Sequence, residues 1–355
     1  MSDSEPVPTN SERKGVALLL RRIAFLSAGF IFLIASAGLL YRAIEARSDA
    51  RRFKQEGRSV DIGGYKLNIS CTGSGSPEVI LESGLGGLAN DWHPVQSGIA
   101  KFTRVCSYDR AGYGWSDPGP MPRTHTQIAR ELHTLLVNSG ERPPYVLVGH
   151  SFGGTDVRIY NGLYPGEVVG MVLAEAGQED VKYPPSILAL AKNDLKRRQS
   201  ARRWAPLLYR SGISRFLARK DIDDPAASLA DQEWAYLAIQ PKFIAATTSE
   251  VEIQANNDAV RAAGTLGDKP LIVLTAGKGM FGLPLTTQDW VDLRNRWVDS
   301  HMLLAHLSTR GKRIIVPDTG HMIPDERPEA IVNAVQEILA DLKNPNQAAA
   351  RAPSK

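Results

Sequence analysis

The sequence is poor in cysteine, with only Cys71 and Cys106 in 355 residues. That excludes a disulfide scaffold, and neither cysteine stands in a C-x-x-C or Cys/His pattern that would hold zinc. It also has little excess of charge: the formal net charge is +4. Residues 1–60 carry ten Lys/Arg against six Asp/Glu, and the remaining 295 residues hold 32 of each sign, so the excess lies in the N-terminal stretch. A nucleic-acid-binding body would need a basic surface of its own, so nucleic acid is excluded as a partner. Internal repeats are missing as well. With 43% apolar and 23% charged residues the composition is globular, which excludes a mainly disordered or fibrous chain.

The first feature present is a long apolar run. From Ile23 to Tyr41 there is no charged residue, and ten of the 19 residues are Ile, Leu or Phe. As a helix it would span roughly 28 Å, close to the hydrocarbon thickness of a bilayer. Three readings compete: a buried globular helix, a signal peptide cleaved near Ala35-Ser36-Ala37, and a retained signal anchor. Arg21, Arg22 and Arg42 bracket the run as membrane anchors do, and the region before it is long for a signal peptide. The retained anchor is therefore the reading adopted: residues 1–22 a tail, 23–41 a single transmembrane helix, 42–58 a charged juxtamembrane helix or linker. Basic residues flank both ends, so orientation is not readable.

Beyond the linker the pattern is α/β. Residues 59–62 and 65–69 alternate around Gly63-Gly64, a hairpin signal. Short apolar runs then recur at 78–82, 104–108, 145–149, 168–174, 271–275 and 313–316, separated by helix-length text at 125–138, 152–164 and 327–342. Alternation of this kind predicts parallel βαβ units. Between 178 and 268 the rhythm breaks into helical text with Trp204, Tyr209, Phe216, Trp234, Tyr236 and Phe243. An insertion that long reads as a helical cap over a site. The body is thus expected as 59–177 and 269–343 around a cap at 178–268, with a disordered tail at 344–355.

Residues 145–154 run from an apolar strand straight into Gly149-His150-Ser151-Phe152-Gly153-Gly154. Small residues two positions either side of a serine allow a sharp strand-to-helix turn that exposes Oγ at the sheet edge. The helix that follows aims its N-terminus, and the Phe152 N–H, at a reacting oxygen. Ser151 is the candidate nucleophile. His321 follows the last apolar strand by a short loop containing Gly320, which places an imidazole at the same sheet edge as a candidate general base. His150 lies inside the turn and points away from the neighbouring Oγ.

These stretches, with Leu81–Gly87, Asp109–Ser116, Asp318–His321 and Glu326–Glu329, make residues 59–342 resemble the α/β-hydrolase family, in its serine-nucleophile, helical-cap, esterase-like form. The resemblance implies an eight-stranded, mostly parallel α/β-hydrolase sheet with helices on both faces and a cap after strand six. It implies the chain order nucleophile, acid, histidine. In the commonest version of the fold the acid follows strand seven, but here Leu274–Met280 holds no carboxylate before Asp289. Some members carry the acid at the end of strand six, where this chain has Glu175. Glu175 is therefore the candidate, with Asp180 and Asp289 as alternatives, and a carboxylate within about 3.2 Å of His321 Nδ1 is the expected geometry. By the same resemblance Leu85, in Ser83-Gly84-Leu85, and Phe152 would supply the oxyanion N–H groups. Asp109, Arg110 and Trp92 are expected to brace loops. Cys71 and Cys106 would occupy strands that can be sheet neighbours, where a disulfide is strained, so free thiols are expected.

The expected substrate is a small-molecule ester or lipid-like ester, and no metal or organic cofactor is implied. A serine at the turn argues against dehalogenation or epoxide opening. Two rivals stand: a non-catalytic binding protein, and an aminopeptidase-like amide hydrolase. The second needs an acidic anchor for a free amino group, whereas residues 178–220 hold eleven Lys/Arg against three Asp/Glu. That basic run, with Trp204, Leu207, Leu208, Phe216 and Leu217, suits either anionic lipid or a solvated helix face.

Overall fold

Strand positions follow the apolar runs closely: β1 Arg58–Asp61, β2 Lys66–Thr72, β3 Glu78–Glu82, β4 Val105–Tyr108, β5 Tyr145–His150, β6 Val168–Ala174, β7 Leu271–Ala276 and β8 Gly311–Val316. The computed structural model describes residues 10–254, 258–278 and 287–344, with side chains from residue 18 onward except those of residues 287 and 290. Residues 1–9 and 345–355, where tails were expected, lie outside that range. The strands form one sheet in the order β1-β2-β4-β3-β5-β6-β7-β8. β1 and β2 are antiparallel, as are β2 and β4, and every other pair is parallel. The β1–β2 turn needs its glycines: Gly63 and Gly64 have φ of 107° and 108°, and their N–H groups both donate to Asp61 Oδ1.

The helices are α1 Asn10–Arg52, α2 His93–Ile99, α3 His125–Ser139, α4 Phe152–Leu163, α5 Pro185–Arg210, α6 Ile213–Leu217, α7 Arg219–Ile222, α8 Leu229–Ala238, α9 Pro241–Ile253, α10 Asp258–Ala262, α11 Thr287–Ala305, α12 Ile323–Glu326 and α13 Pro328–Lys343. Helix α3 shows why such segments start and stop where they do. The Thr124 hydroxyl accepts from the Gln127 N–H at 3.1 Å, and Gly140 ends the helix at φ 80°. All six residues of β5 are buried, as a central parallel strand covered on both faces requires. Leu147 and its sheet neighbours pack with Leu132, Leu135 and Val157 of α3 and α4 on one face. Val146 and Val148 pack with Val95 and Ile99 of α2 and with Ile331, Val335 and Ile338 of α13 on the other. Each such side chain contributes roughly 1.5–3 kcal/mol on burial.

Between β6 and β7 the regular elements among the described residues are helices, α5 to α10, apart from a bridge that pairs Gly267 with Ser308. The cap is fastened to the body. Phe243 and Ala246 of α9 pack with Leu88 and Tyr113, and Lys242 Nζ donates to the carbonyls of Gly114 and Ser116, each at 2.7 Å.

Two expectations are corrected. Helix α1 runs unbroken from Asn10 to Arg52, so part of the expected tail is helical and, of the two forms expected for residues 42–58, the helix is found as far as Arg52. Its charged last turns stay helical because they bind the cap, where Arg215 meets Glu45 at 3.1 Å, Asp49 at 2.9 Å and Asp223 at 2.8 Å. From Leu18 the helix is long and apolar enough to cross a membrane, with a mean hydropathy of 2.3 in an 18-residue window that is nowhere buried. The second correction concerns the cysteines. Cys71 and Cys106 form a disulfide. They occupy directly opposed positions of antiparallel β2 and β4, with Cα atoms 4.1 Å apart, which brings the two Sγ atoms together despite the strain expected of neighbouring strands.

Candidate active site

The turn between β5 and α4 is as tight as the glycines predict. Ser151 stands at φ 52°, ψ −118°, a conformation that L residues rarely adopt and that costs of order 1–3 kcal/mol. A Cβ at Gly153 would lie 2.6 Å from the carbonyl oxygens of Glu82 and Ser83, so only glycine lets α4 approach β3 this closely. Ser151 Oγ lies 2.9 Å from His321 Nε2. The loop bearing His321 is held by the Gly320 N–H, which donates to Glu326 Oε2 at 2.9 Å, and by His150, whose Nε2–H donates to the His321 carbonyl at 2.9 Å. Burial, aided by the charge His321 can carry, pushes the His150 value down to about 3. His150 is therefore a neutral brace and does not compete as a base.

Glu175 directly follows β6, at φ 49°, and is completely buried. Its Oε2 lies 3.4 Å from His321 Nδ1, slightly longer than the distance expected from the sequence. Two other donors fix the carboxylate: the Ala276 N–H on Oε1 at 2.6 Å and the Trp297 indole N–H on Oε2 at 2.9 Å. Burial works to raise this carboxyl, but the bond from His321 and the Ala276 N–H outweigh it and hold the value below the ordinary glutamate range. The alternatives lie elsewhere. Asp180 is turned to Arg261 at 2.8 Å on the surface, and Asp289 accepts from the Ser186 hydroxyl at 2.8 Å.

No local pattern in the chain marks Trp297 or His301. They sit one turn apart on α11, and their partners come from strands far away in the chain. His301 Nε2–H donates to the Ala176 carbonyl at 3.1 Å, while Nδ1 accepts from the Thr275 hydroxyl at 2.8 Å. That pattern requires a neutral ring, in keeping with a value lowered by burial.

Leu85 lies in the turn after β3, which closes with the Gly87 N–H on the Gly84 carbonyl at 3.2 Å. The turn is seated against Ser151, since a Cβ on Gly84 would be 3.2 Å from Ser151 Cβ. Phe152 is the first residue of α4. Beneath this turn lies Arg110, 2% exposed. Its guanidinium donates to the carbonyls of Ser83 at 2.6 Å and Gly84 at 2.8 Å, to Glu82 at 2.8 Å, and to both oxygens of Glu250 on cap helix α9 at 3.1 Å. Burial outweighs this partner at Glu82 and pushes its carboxyl up to about 8. Asp109 and Trp92 brace loops as expected: Asp109 accepts from the Ala89 N–H at 2.8 Å, and the Trp92 indole donates to the Ser83 hydroxyl at 2.8 Å. The cap reaches the same turn, with the Trp234 indole N–H donating to the Gly86 carbonyl at 3.1 Å.

Comparison with known proteins bears on the fold and the family. YbdG of Bacillus subtilis, an uncharacterized protein, is 29% identical over 167 residues, 46% of this chain and 51% of its own length. The aligned part spans between 18% and 51% of the first three curated relatives. The solved structure of a thermophilic esterase from Thermogutta terrifontis superimposes with a TM-score of 0.57 at 20% identity, covering 80% of this chain and 98% of that one. Epoxide hydrolase VrEH1 of Vigna radiata gives a TM-score of 0.60 at 16% identity, covering 81% and 98%. At these identities the two structures share the fold. The model of the alpha/beta hydrolase family matches residues 79–334. Given that match, the eight-stranded sheet and the turn at Ser151, the chain belongs to the alpha/beta hydrolase family.

Proposed function

We propose that the protein is a membrane-anchored serine hydrolase that cleaves carboxylic esters, including lipid-like ones. The observation that carries this reading is the 2.9 Å approach of Ser151 Oγ to His321 Nε2 at a strained strand-to-helix turn. In the proposed cycle Oγ attacks the ester carbonyl carbon while His321 Nε2 takes the hydroxyl proton. Glu175 keeps the other ring proton on Nδ1 and stabilises the imidazolium. The Leu85 and Phe152 N–H groups hold the oxyanion, an arrangement favoured by the packing of Gly84 against Ser151 and by the start of α4 at Phe152. Collapse of the tetrahedral intermediate expels the alcohol, which takes the proton from His321. Water activated by His321 then releases the acid from the acyl-enzyme.

A hydroxyl nucleophile suits acyl transfer, and the esterase neighbour fits that class. The amide-hydrolase alternative gains no support from the basic start of the cap. Anchoring would be through residues 23–41 within α1. The test is fluorophosphonate labelling of the detergent-extracted full chain. Labelling and p-nitrophenyl ester hydrolysis should both vanish in Ser151→Ala, and label that persists on another serine would move the nucleophile.

A further inference from the structure

We propose that one face of the cap, formed by the end of α5 and by α6, rests in the surface of the same bilayer that α1 crosses, with its arginines on anionic lipid headgroups; this rests on reading α1 as a membrane-spanning helix. The level at which α1 meets the cap carries the inference. The apolar run of α1 ends at Tyr41, and Gly38 lies three residues inside it, about 4.5 Å further along the axis. At Gly38 the cap backbone lies directly against the helix. A Cβ on Gly38 would stand 2.4 Å from the Ser211 carbonyl oxygen, and one on Gly212 would stand 2.7 Å from the Gly38 carbonyl oxygen. Two glycines thus let the α5–α6 turn lie against the helix at a depth belonging to the apolar run.

Contacts change character along one stripe of α1. The Tyr41 ring meets Phe216 edge-on at 6.1 Å, and the Arg42 guanidinium lies 4.8 Å over the Tyr209 ring. One and two turns further, Glu45 and Asp49 pair with Arg215. The shift from apolar to ionic contact marks a water boundary near Arg42, and the α5–α6 turn lies on its apolar side.

The cap side chains around this turn are built for such a boundary. Leu207, Ile213, Phe216 and Leu217 are 60%, 44%, 50% and 68% exposed, and Trp204 beside them is 51% exposed. Exposed basic residues stand among them: Arg203 lies over the Trp204 ring at 5.7 Å, and Arg219 over Phe216 at 4.1 Å. Arg210 and Lys220 are exposed next to them. Apolar tips beside flexible cations are what an interfacial surface presents to acyl chains and anionic headgroups.

Depth measurement on the full chain tests this. With Cys71 and Cys106 joined in a disulfide, a nitroxide can be attached through Leu207→Cys or Leu217→Cys, both surface positions that fill no core space. The labelled protein is reconstituted in phosphatidylcholine vesicles containing phosphatidylglycerol, and collision with oxygen is compared with collision with a nickel chelate. Phe30→Cys on α1 reports whether that helix lies in lipid, and Val137→Cys on α3 serves as the aqueous reference. The expected oxygen-to-nickel ratio is several-fold higher at 207, 217 and 30 than at 137. A lipid signal at 30 with aqueous signals at 207 and 217 overturns the docking face and leaves the anchor standing. An aqueous signal at 30 overturns both. Spin–spin broadening at 207 that disappears on dilution with unlabelled protein assigns the face to a second copy and overturns the lipid assignment.

Discussion

Replacing Glu175 with glutamine changes no shape and one charge, and the structure says how that should act. The carboxylate receives the Ala276 N–H on Oε1 at 2.6 Å, the Trp297 indole N–H on Oε2 at 2.9 Å, and His321 Nδ1 on Oε2 at 3.4 Å. An amide has only one oxygen to offer these donors. With that oxygen toward Ala276, the NH₂ faces Trp297 and His321. The imidazole must then move its proton to Nε2 and can no longer take one from Ser151. With the oxygen toward Trp297 and His321, the NH₂ faces the Ala276 N–H, which leaves a buried donor unpaired at about 1–3 kcal/mol. In either orientation the charge that stabilises the imidazolium is gone. The expected loss is roughly 10⁴ in kcat, about 5 kcal/mol, as for acid-to-amide changes in other triads. Steady-state hydrolysis of a p-nitrophenyl ester reads it, alongside a thermal melt showing that the variant folds. Asp180→Asn and Asp289→Asn should each stay within about tenfold of the wild type. A folded Glu175→Gln enzyme that also stays within tenfold refutes the reasoning, and a dominant effect at either aspartate moves the acid there.

Three further outcomes are expected. Glu250→Gln weakens the buried pair with Arg110 that joins the cap to the β3 turn. It should cost about 3 kcal/mol, toward the low end for broken buried pairs because Glu82 remains a partner, and a melting temperature unchanged from the wild type would contradict that. His150 has a folded value of about 3 against an ordinary 6.5, so the unfolded chain binds the extra proton in that window and the stabilising neutral form is lost as pH falls through it. Chemical denaturation across that range should therefore show a shallower acid loss for His150→Gln than for the wild type, and parallel slopes would argue against this. The Cys71–Cys106 bond closes a loop of 35 residues, for which chain entropy gives about 4 kcal/mol; Cys71→Ala/Cys106→Ala should melt correspondingly lower, and alkylation of both cysteines in denaturant without reductant would disprove the bond.

The parts of this fold legible in the sequence are those specified by neighbouring residues. Tyr145 to His150 reads as a buried strand because its apolar run and its glycine-bounded end are contiguous, and Gly63-Gly64 reads as a hairpin because the turn itself demands positive φ. Ser151 and His321 are each marked by a local strand-end pattern. Glu175 was reached through the absence of a carboxylate after the seventh strand. Trp297 and His301 were not legible: whether a helical residue faces a site depends on how α11 lies on β7 and β8, which no local pattern encodes. The cysteine expectation failed for a related reason. Strain between neighbouring strands depends on the register, which sets Cys71 directly opposite Cys106 and is not written in either strand alone. How far α1 runs past Tyr41 is not legible locally either, because its charged turns are kept helical by Arg215, 166 residues from Asp49.

The place of the cap in the chain orders the birth of the site. Ser151 and Glu175 are synthesised before the cap, whereas Trp297, His301 and His321 come after it, and His321 lies 170 positions beyond Ser151. The nascent chain thus holds its serine turn between β5 and α4 while the residues that would activate it are still unmade. Even the Ala276 donor to Glu175 arrives only when β7 pairs with β6. Loop closure over such a span adds only about 0.6 kcal/mol for each doubling of length, so the delay comes from the order of the elements more than from their energies. Until the loop after the last strand docks, Ser151 has no His321 imidazole beside it.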